Sequence, residues 1–164
     1  MTDFAALLQT LATADVRFIV VGGAAATAHG AARLTVDLDI VYERTRENIQ
    51  RLVSALRASQ PYLRGAPPGL PFQFDEATVR RGLNFTLTSK LGDIDLLGEI
   101  TGGGGYGDLL PHSIVLKPFG IECRCLGLTR LIQVKRAAGR AKDFDAIAEL
   151  EALQQERDES DGGS

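Results

Sequence analysis

The sequence predicts an α/β domain: a mixed, largely antiparallel sheet flanked by helices, with a small C-terminal helical pair. Three observations predict it. Arg17-Phe18-Ile19-Val20-Val21 is a β-branched, apolar run that stops at Gly22-Gly23. Thr35 to Val41 alternates with period two. Towards the end, Phe144, Ile147, Leu150 and Leu153 recur at helical spacing.

The elements follow in order. Phe4, Leu7, Leu8 and Leu11 make Asp3 to Ala14 a first amphipathic helix. The buried strand from Arg17 comes next, then an alanine-rich helix over Ala24 to Ala32 with Gly30 as terminator. After the Thr35–Val41 strand, Thr45 caps a helix through about Arg57. Ser59 to Pro71 holds Pro67, Pro68 and Pro71 with Gly65 and Gly69, so it is a loop. Leu83 to Thr88 and Ile94 to Leu97 form a hairpin around Lys90-Leu91-Gly92-Asp93. Gly102 to Gly105 has neither strand-to-helix context nor a following lysine, and is expected to be a flexible connector. Short strands at Ser113–Lys117 and Ile121–Leu126 flank Pro118-Phe119-Gly120. Helices over Leu128–Ala138 and Asp143–Gln155 are separated by Gly139. Residues 1–126 are therefore expected to form the core, 127–155 the helical pair and 156–164 a disordered acidic tail.

Composition bounds the function. A hydrophobic share of 45% with 24% charged residues is that of an ordinary globular protein. A net charge of −3 and few aromatics argue against a general nucleic-acid coat protein. The start, Met1-Thr2-Asp3, lacks a cationic leader, and no apolar run approaches membrane-span length, so a cytoplasmic protein without a membrane partner is expected. Cys123 and Cys125 share one strand face and read as buried thiols rather than as a zinc site.

The chemistry gathers at strand, Gly22-Gly23, helix, then Asp37-Leu38-Asp39. Two glycines let backbone approach a ligand with no Cβ between, and the free N–H groups of a helix start can face a phosphate. Asp37 and Asp39 lie two apart on one strand face, with Cα atoms roughly 6.5–7 Å apart. Asp is depleted in strands, and paired like charges beside an apolar run call for a cation. Asp95, in the apolar run Ile94-Asp95-Leu96-Leu97, is the third carboxylate; Asp93 reads as turn chemistry and Glu99 as a weaker candidate. A dinucleotide fingerprint and a P-loop both fail at Gly22-Gly23-Ala24-Ala25-Ala26-Thr27.

Gly22-Gly23, a short helix, Asp37-Leu38-Asp39 and the later Asp95 resemble the polymerase-beta-like nucleotidyltransferase superfamily. Within it, Gly22-Gly23-Ala24-Ala25 with His29, and Arg33-Leu34-Thr35-Val36-Asp37-Leu38-Asp39, look like the AbiEii-type (type IV toxin) branch and its short relatives. Lys135 to Asp143 is similar to a stretch common in those proteins. Ala24 departs from the pattern, standing where many members place Ser. The resemblance implies a metal-dependent transfer of an NMP group from an NTP to a hydroxyl on an RNA end such as tRNA, a protein or a small molecule. It implies that Asp37, Asp39 and Asp95 hold Mg²⁺ or Mn²⁺, with Asp95 also helping to activate the acceptor. Gly22 and Gly23 would cradle the triphosphate. Arg33 and Thr35 join the nucleotide-binding set, Arg33 orienting Asp37 or Asp39 by a charge-assisted hydrogen bond. Lys135 and Arg140 are expected to reach phosphate, whereas Arg130 and Arg136 are expected on a solvated face. Asp143 is expected to cap the last helix. The other reading is a non-catalytic nucleotide-binding or interaction subunit, one half of a toxin–antitoxin-like pair with a cognate antitoxin.

Overall fold

A computed structural model gives the fold and describes residues 1–162. Helix α1 (Phe4–Thr13) opens the chain, its first turn held by Asp3 Oδ1 accepting from Ala6 N at 3.0 Å. Its Leu7, Leu8 and Leu11 are fully buried, as the spacing requires. Strand β1 (Phe18–Val21) is buried at every residue and runs directly into α2 (Gly22–Ala28). That helix starts earlier than expected, at Gly22, and stops earlier, at Ala28. Gly22 turns the chain with φ +63°, and the next residues close helical bonds at once.

Strand β2 (Asp37–Tyr42) is followed by α3 (Arg46–Leu56), capped by Thr45 Oγ1 accepting from Asn48 N at 3.3 Å. The proline-rich stretch contains a short strand, β3 (Tyr62–Leu63), which pairs with β4 (Phe85–Ser89). Between them lies α4 (Glu76–Arg81), capped by Asp75. Strand β5 (Gly92–Leu97) completes the hairpin with β4. The glycine run is more than a connector: β7 (Gly104–Gly105) pairs antiparallel with β6 (Glu99–Ile100), leading into α5 (Tyr106–Leu109). Strands β8 (Ser113–Leu116) and β9 (Cys123–Leu126) form the second hairpin, with Cys125 buried.

The main sheet has seven strands in the order β3-β4-β5-β2-β1-β9-β8. Only β2–β5 and β1–β9 pair in parallel, so the sheet is mixed and largely antiparallel. Period two then sorts the side chains. Leu38, Ile40, Ile94 and Leu96 are fully buried in one core with Leu52 and Leu56 of α3, and the aspartates of β2 and β5 fall on the other face. Helices α6 (Leu128–Ala138) and α7 (Phe144–Gly162) send Leu128, Leu131, Ile132 and Leu150 into that core. Helix α7 continues through Glu156–Gly162, the stretch expected to be a disordered tail. Its Arg157 donates to His29 Nδ1 and to the His29 carbonyl, both at 3.0 Å, which anchors the added turns. Residues 163–164 of that expected tail lie outside the described residues. Among the described residues, no helix is long and apolar enough to cross a membrane.

Candidate active site

The parallel register sets Asp93 beside Asp37 and Asp95 beside Asp39, all on one face of the sheet. One carboxylate oxygen from each of Asp37, Asp39 and Asp95 lies within 4.8 Å of the other two. Asp39 is the deepest. Its Oδ1 is buried and, among the described residues, has no hydrogen-bond partner. A carboxylate oxygen left like this is costly unless a proton or a cation satisfies it. Burial, and then the charges of Asp37 and Asp95, push the Asp39 carboxyl up to about 8. Asp95 is also raised, by burial, with the Arg64 guanidinium pulling it back. Three hard oxygen donors at this spacing, one of them orphaned, fit a magnesium-class cation.

The two glycines stand against this strand. A Cβ on Gly22 would collide with the Asp39 carboxylate, and one on Gly23 would sit 2.6 Å from Thr35 Oγ1. Thr35 Oγ1 in turn donates to the Asp37 carbonyl at 3.3 Å. The backbone of the β1–α2 turn therefore approaches the carboxylates as closely as two glycines allow.

Lys135 and Arg140 reach the same region from the C-terminal helices. Gly139, at φ +63°, ends α6 and turns the chain so that Arg140 comes back over it. Arg140 Nε donates to Asp143 Oδ2 at 2.7 Å, and Lys135 Nζ lies 4.0 Å from Asp143 Oδ1. Asp143 is buried and its carboxylate is taken by these two cations, a clamp in place of the helix cap expected of it. Gly22, Asp39, Lys135 and Arg140 line one cleft of about 400 Å³, whose far wall carries Asn84, Leu97 and Glu99. A wider hollow of about 800 Å³ holds neither Gly22 nor Gly23 and none of Asp37, Asp39, Asp95 and Lys135. The smaller cleft is the one that touches the carboxylate cluster, through Asp39.

Other expected residues fall elsewhere. Arg33 does not orient Asp37 or Asp39: its ion pair, at 3.8 Å, is with the exposed Asp145. The chain loops outwards over Arg33–Val36, leaving Leu34 and Val36 exposed, so the guanidinium is carried away from the strand face. Arg33 still shares a small hollow with Gly23, Thr35 and Lys135. His29 is a packing residue. It is buried, its Nε2 is 2.8 Å from the Leu126 carbonyl, and burial holds it below the ordinary histidine range. It is therefore neutral at pH 7, with Nε2 donating to Leu126 and Nδ1 accepting from Arg157. Arg136 pairs with Glu151 and Arg130 with His112, both on exposed surface.

No family model and no curated protein sequence matches this chain. In fold it is similar to a protein from Thermotoga maritima provisionally described as a nucleotidyltransferase. The TM-score to that crystal structure is 0.55 over 87% of this chain and 86% of the other, at 14% identity. At that identity the likeness carries the fold alone, and it points to no particular branch.

One residue of the site escapes a reading of the sequence. Arg64, on the loop after β3, donates to Asp95 Oδ1 at 2.8 Å and lies 3.5 Å from Asp37 Oδ2 and 3.4 Å from Asp93 Oδ2. Its one sequence signal is that it is the sole cation between Arg57 and Arg80, beside the apolar pair Tyr62-Leu63. That pair forms β3, and its pairing with β4 delivers the guanidinium to the carboxylates.

Proposed function

We propose that this protein is a metal-dependent nucleotidyltransferase that moves an NMP group from an NTP to a hydroxyl acceptor. One observation carries the reading: Asp37, Asp39 and Asp95 converge beside a two-glycine turn, with a buried Asp39 oxygen that nothing in the protein satisfies. The fold shared with a protein provisionally described as a nucleotidyltransferase agrees with it. The motif residues Gly22-Gly23, Asp37-Leu38-Asp39 and Asp95 support assigning the chain to the polymerase-beta-like superfamily, and Arg33 to Asp39 with Lys135 to Asp143 support the AbiEii-type branch within it.

In this reading Asp37, Asp39 and Asp95 hold Mg²⁺ or Mn²⁺, and Gly22 and Gly23 let the triphosphate lie against the backbone. Bound there, the cation would supply Lewis-acid neutralisation of phosphate charge and a lowered pKa for the attacking hydroxyl. Lys135 and Arg140 face the triphosphate across the cleft as point charge and fork, respectively. Arg33 and Thr35, which share a small hollow with Gly23 and Lys135, are assigned to the nucleotide side in this reading. As the acceptor oxygen bonds to the α-phosphorus, the bond to the bridging oxygen breaks and pyrophosphate leaves. Asp95, on β5 between β2 and β4, takes the hydroxyl proton.

The test is incubation with each α-labelled NTP, Mg²⁺ or Mn²⁺ and cell extract, followed by asking which fraction gains label. Label in RNA, protein or a small molecule names the acceptor class. Binding of nucleotide and cation with no label anywhere would instead make the protein a non-catalytic nucleotide-binding subunit. No nucleotide binding at all would leave a pure interaction subunit.

A narrower expectation concerns the basic stretch. Lys135→Ala is expected to weaken NTP binding by about 1–3 kcal/mol, the range of a charge-assisted contact. Melting without ligand should change little, because Arg140 still satisfies Asp143. Arg136→Ala, whose partner is the exposed Glu151, should do less on both measures. Calorimetry with NTP and Mg²⁺ decides it. Equal affinity in Lys135→Ala and wild type would return Lys135 to a purely structural role.

A further inference from the structure

Four carboxylates, those of Asp37 and Asp39 on β2 and of Asp93 and Asp95 on β5, crowd one face of the sheet, and one side chain, Arg64, reaches three of them. Arg64 Nη2 donates to Asp95 Oδ1 at 2.8 Å and to the Leu87 carbonyl at 2.7 Å. Nη1 lies 3.5 Å from Asp37 Oδ2. Nε is 3.4 Å from Asp93 Oδ2, yet it is buried and, among the described residues, makes no hydrogen bond. The guanidinium thus has one good carboxylate bond and two long contacts. It is shared among acceptors that it cannot satisfy together.

A hard cation binds carboxylate oxygen at about 2.0–2.1 Å. A divalent ion on Asp95 and Asp37 would share their negative charge with a guanidinium already 2.8 Å and 3.5 Å from those carboxylates, and the two cations would repel at that separation. The middle of the loop that carries Arg64 is open to solvent: Gly65 and Gly69 take positive φ, and residues 67–71 are exposed. To the rest of the sheet it is tied by the β3–β4 pairing and by Arg64 N donating to the Thr86 carbonyl at 3.1 Å; within itself it is held by the Tyr62 hydroxyl, which donates to the Pro67 carbonyl and accepts from Leu70 N, and by the edge-on contact of Tyr62 with Phe72.

We propose that Arg64 is an internal counter-cation of the metal-free protein, and that a divalent ion binds by displacing it from Asp95 and Asp37, freeing the loop from Tyr62 to Phe72. This rests on the metal reading of the three aspartates above. Two consequences follow. Cation affinity in the wild type is lowered by the bonds that Arg64 must give up. Cation binding also loosens a segment well outside the ligand set, which a purely structural arginine would not do.

The experiment uses the full chain and Mn²⁺ alone as the probe. Mn²⁺ affinity of wild type and of Arg64→Gln is measured by calorimetry and by the loss of the free-ion electron paramagnetic resonance signal. Amide exchange over residues 62–72 is followed with and without Mn²⁺. The expected result is that Arg64→Gln binds Mn²⁺ about ten- to a hundredfold more tightly. In the wild type, Mn²⁺ should raise exchange over 62–72. The wild-type exchange measurement stands by itself if Arg64→Gln folds poorly. Mn²⁺ bound by the wild type with no change in loop exchange, or with equal or weaker affinity in Arg64→Gln, would overturn the inference and leave the metal reading intact. No Mn²⁺ binding by either protein at millimolar concentration would remove the metal reading, and the inference with it.

Discussion

Asp37→Asn/Asp39→Asn is expected to abolish nucleotidyl transfer, by roughly 10³-fold or more, while the fold persists and the metal-free protein becomes more stable. The two effects have one cause. Both side chains face a cluster whose charge Arg64 balances only in part, so neutralising them removes metal ligands and also relieves the repulsion. Asp39 dominates the stability effect, because its Oδ1 is buried without a partner and its carboxyl is pushed up to about 8. The sign is opposite to that of a salt-bridged carboxylate. An aspartate whose folded pKa lies above its unfolded value of 3.8 binds more protons when folded than when unfolded. Metal-free stability should therefore fall as pH rises from about 4 through about 8. Melting scans in chelator across that window should show the decline in wild type and a flatter profile in Asp39→Asn. Saturating Mn²⁺ should recover the lost stability in wild type alone. A double mutant with wild-type labelling would end the catalytic assignment. One that melts early in chelator would make these aspartates structural supports.

Gly22→Ala is the second large effect, and it comes from backbone rather than charge. Gly22 sits at φ +63°, where a residue with a Cβ is strained by about 1–2 kcal/mol. The added methyl would also press on the Asp39 carboxylate, which must move or force the β1–α2 turn to open. Either response breaks the close fit between the β1–α2 turn and the deepest of the three carboxylates. We expect loss of Mn²⁺ binding and of labelling, with melting lowered by several degrees. Gly23→Ala is the comparison. Its φ is not in the left-handed region, and its new methyl meets the Thr35 side chain. It should fold better than Gly22→Ala and lose nucleotide affinity more than metal affinity. The reverse order, with Gly22→Ala binding Mn²⁺ like wild type, would detach the glycine turn from the metal site.

The sequence by itself determined whatever depends on local periodicity and chain chemistry. The apolar runs, the cap at Thr45, the hairpin around Lys90–Asp93 and the break at Gly139 are interactions within a few residues. The same holds for Asp37 and Asp39 sharing a face, because period two is a property of one strand. Asp95 was legible as an aspartate in an apolar strand. That it is the Cα partner of Asp39, with β5 parallel to β2, is a fact of the sheet.

Only the tertiary structure decided the electrostatics. Arg64 is separated from Asp37 by 27 residues and from Asp95 by 31, and it meets both because β3 adds to the sheet beside β4. Arg33, in sequence next to the aspartate strand, is turned outwards to Asp145, and Arg157 reaches back to His29. In each case a long cation chose its partner by where the folded backbone carried it. A flexible side chain has no period to read, and its charge is visible in a sequence where its address is not.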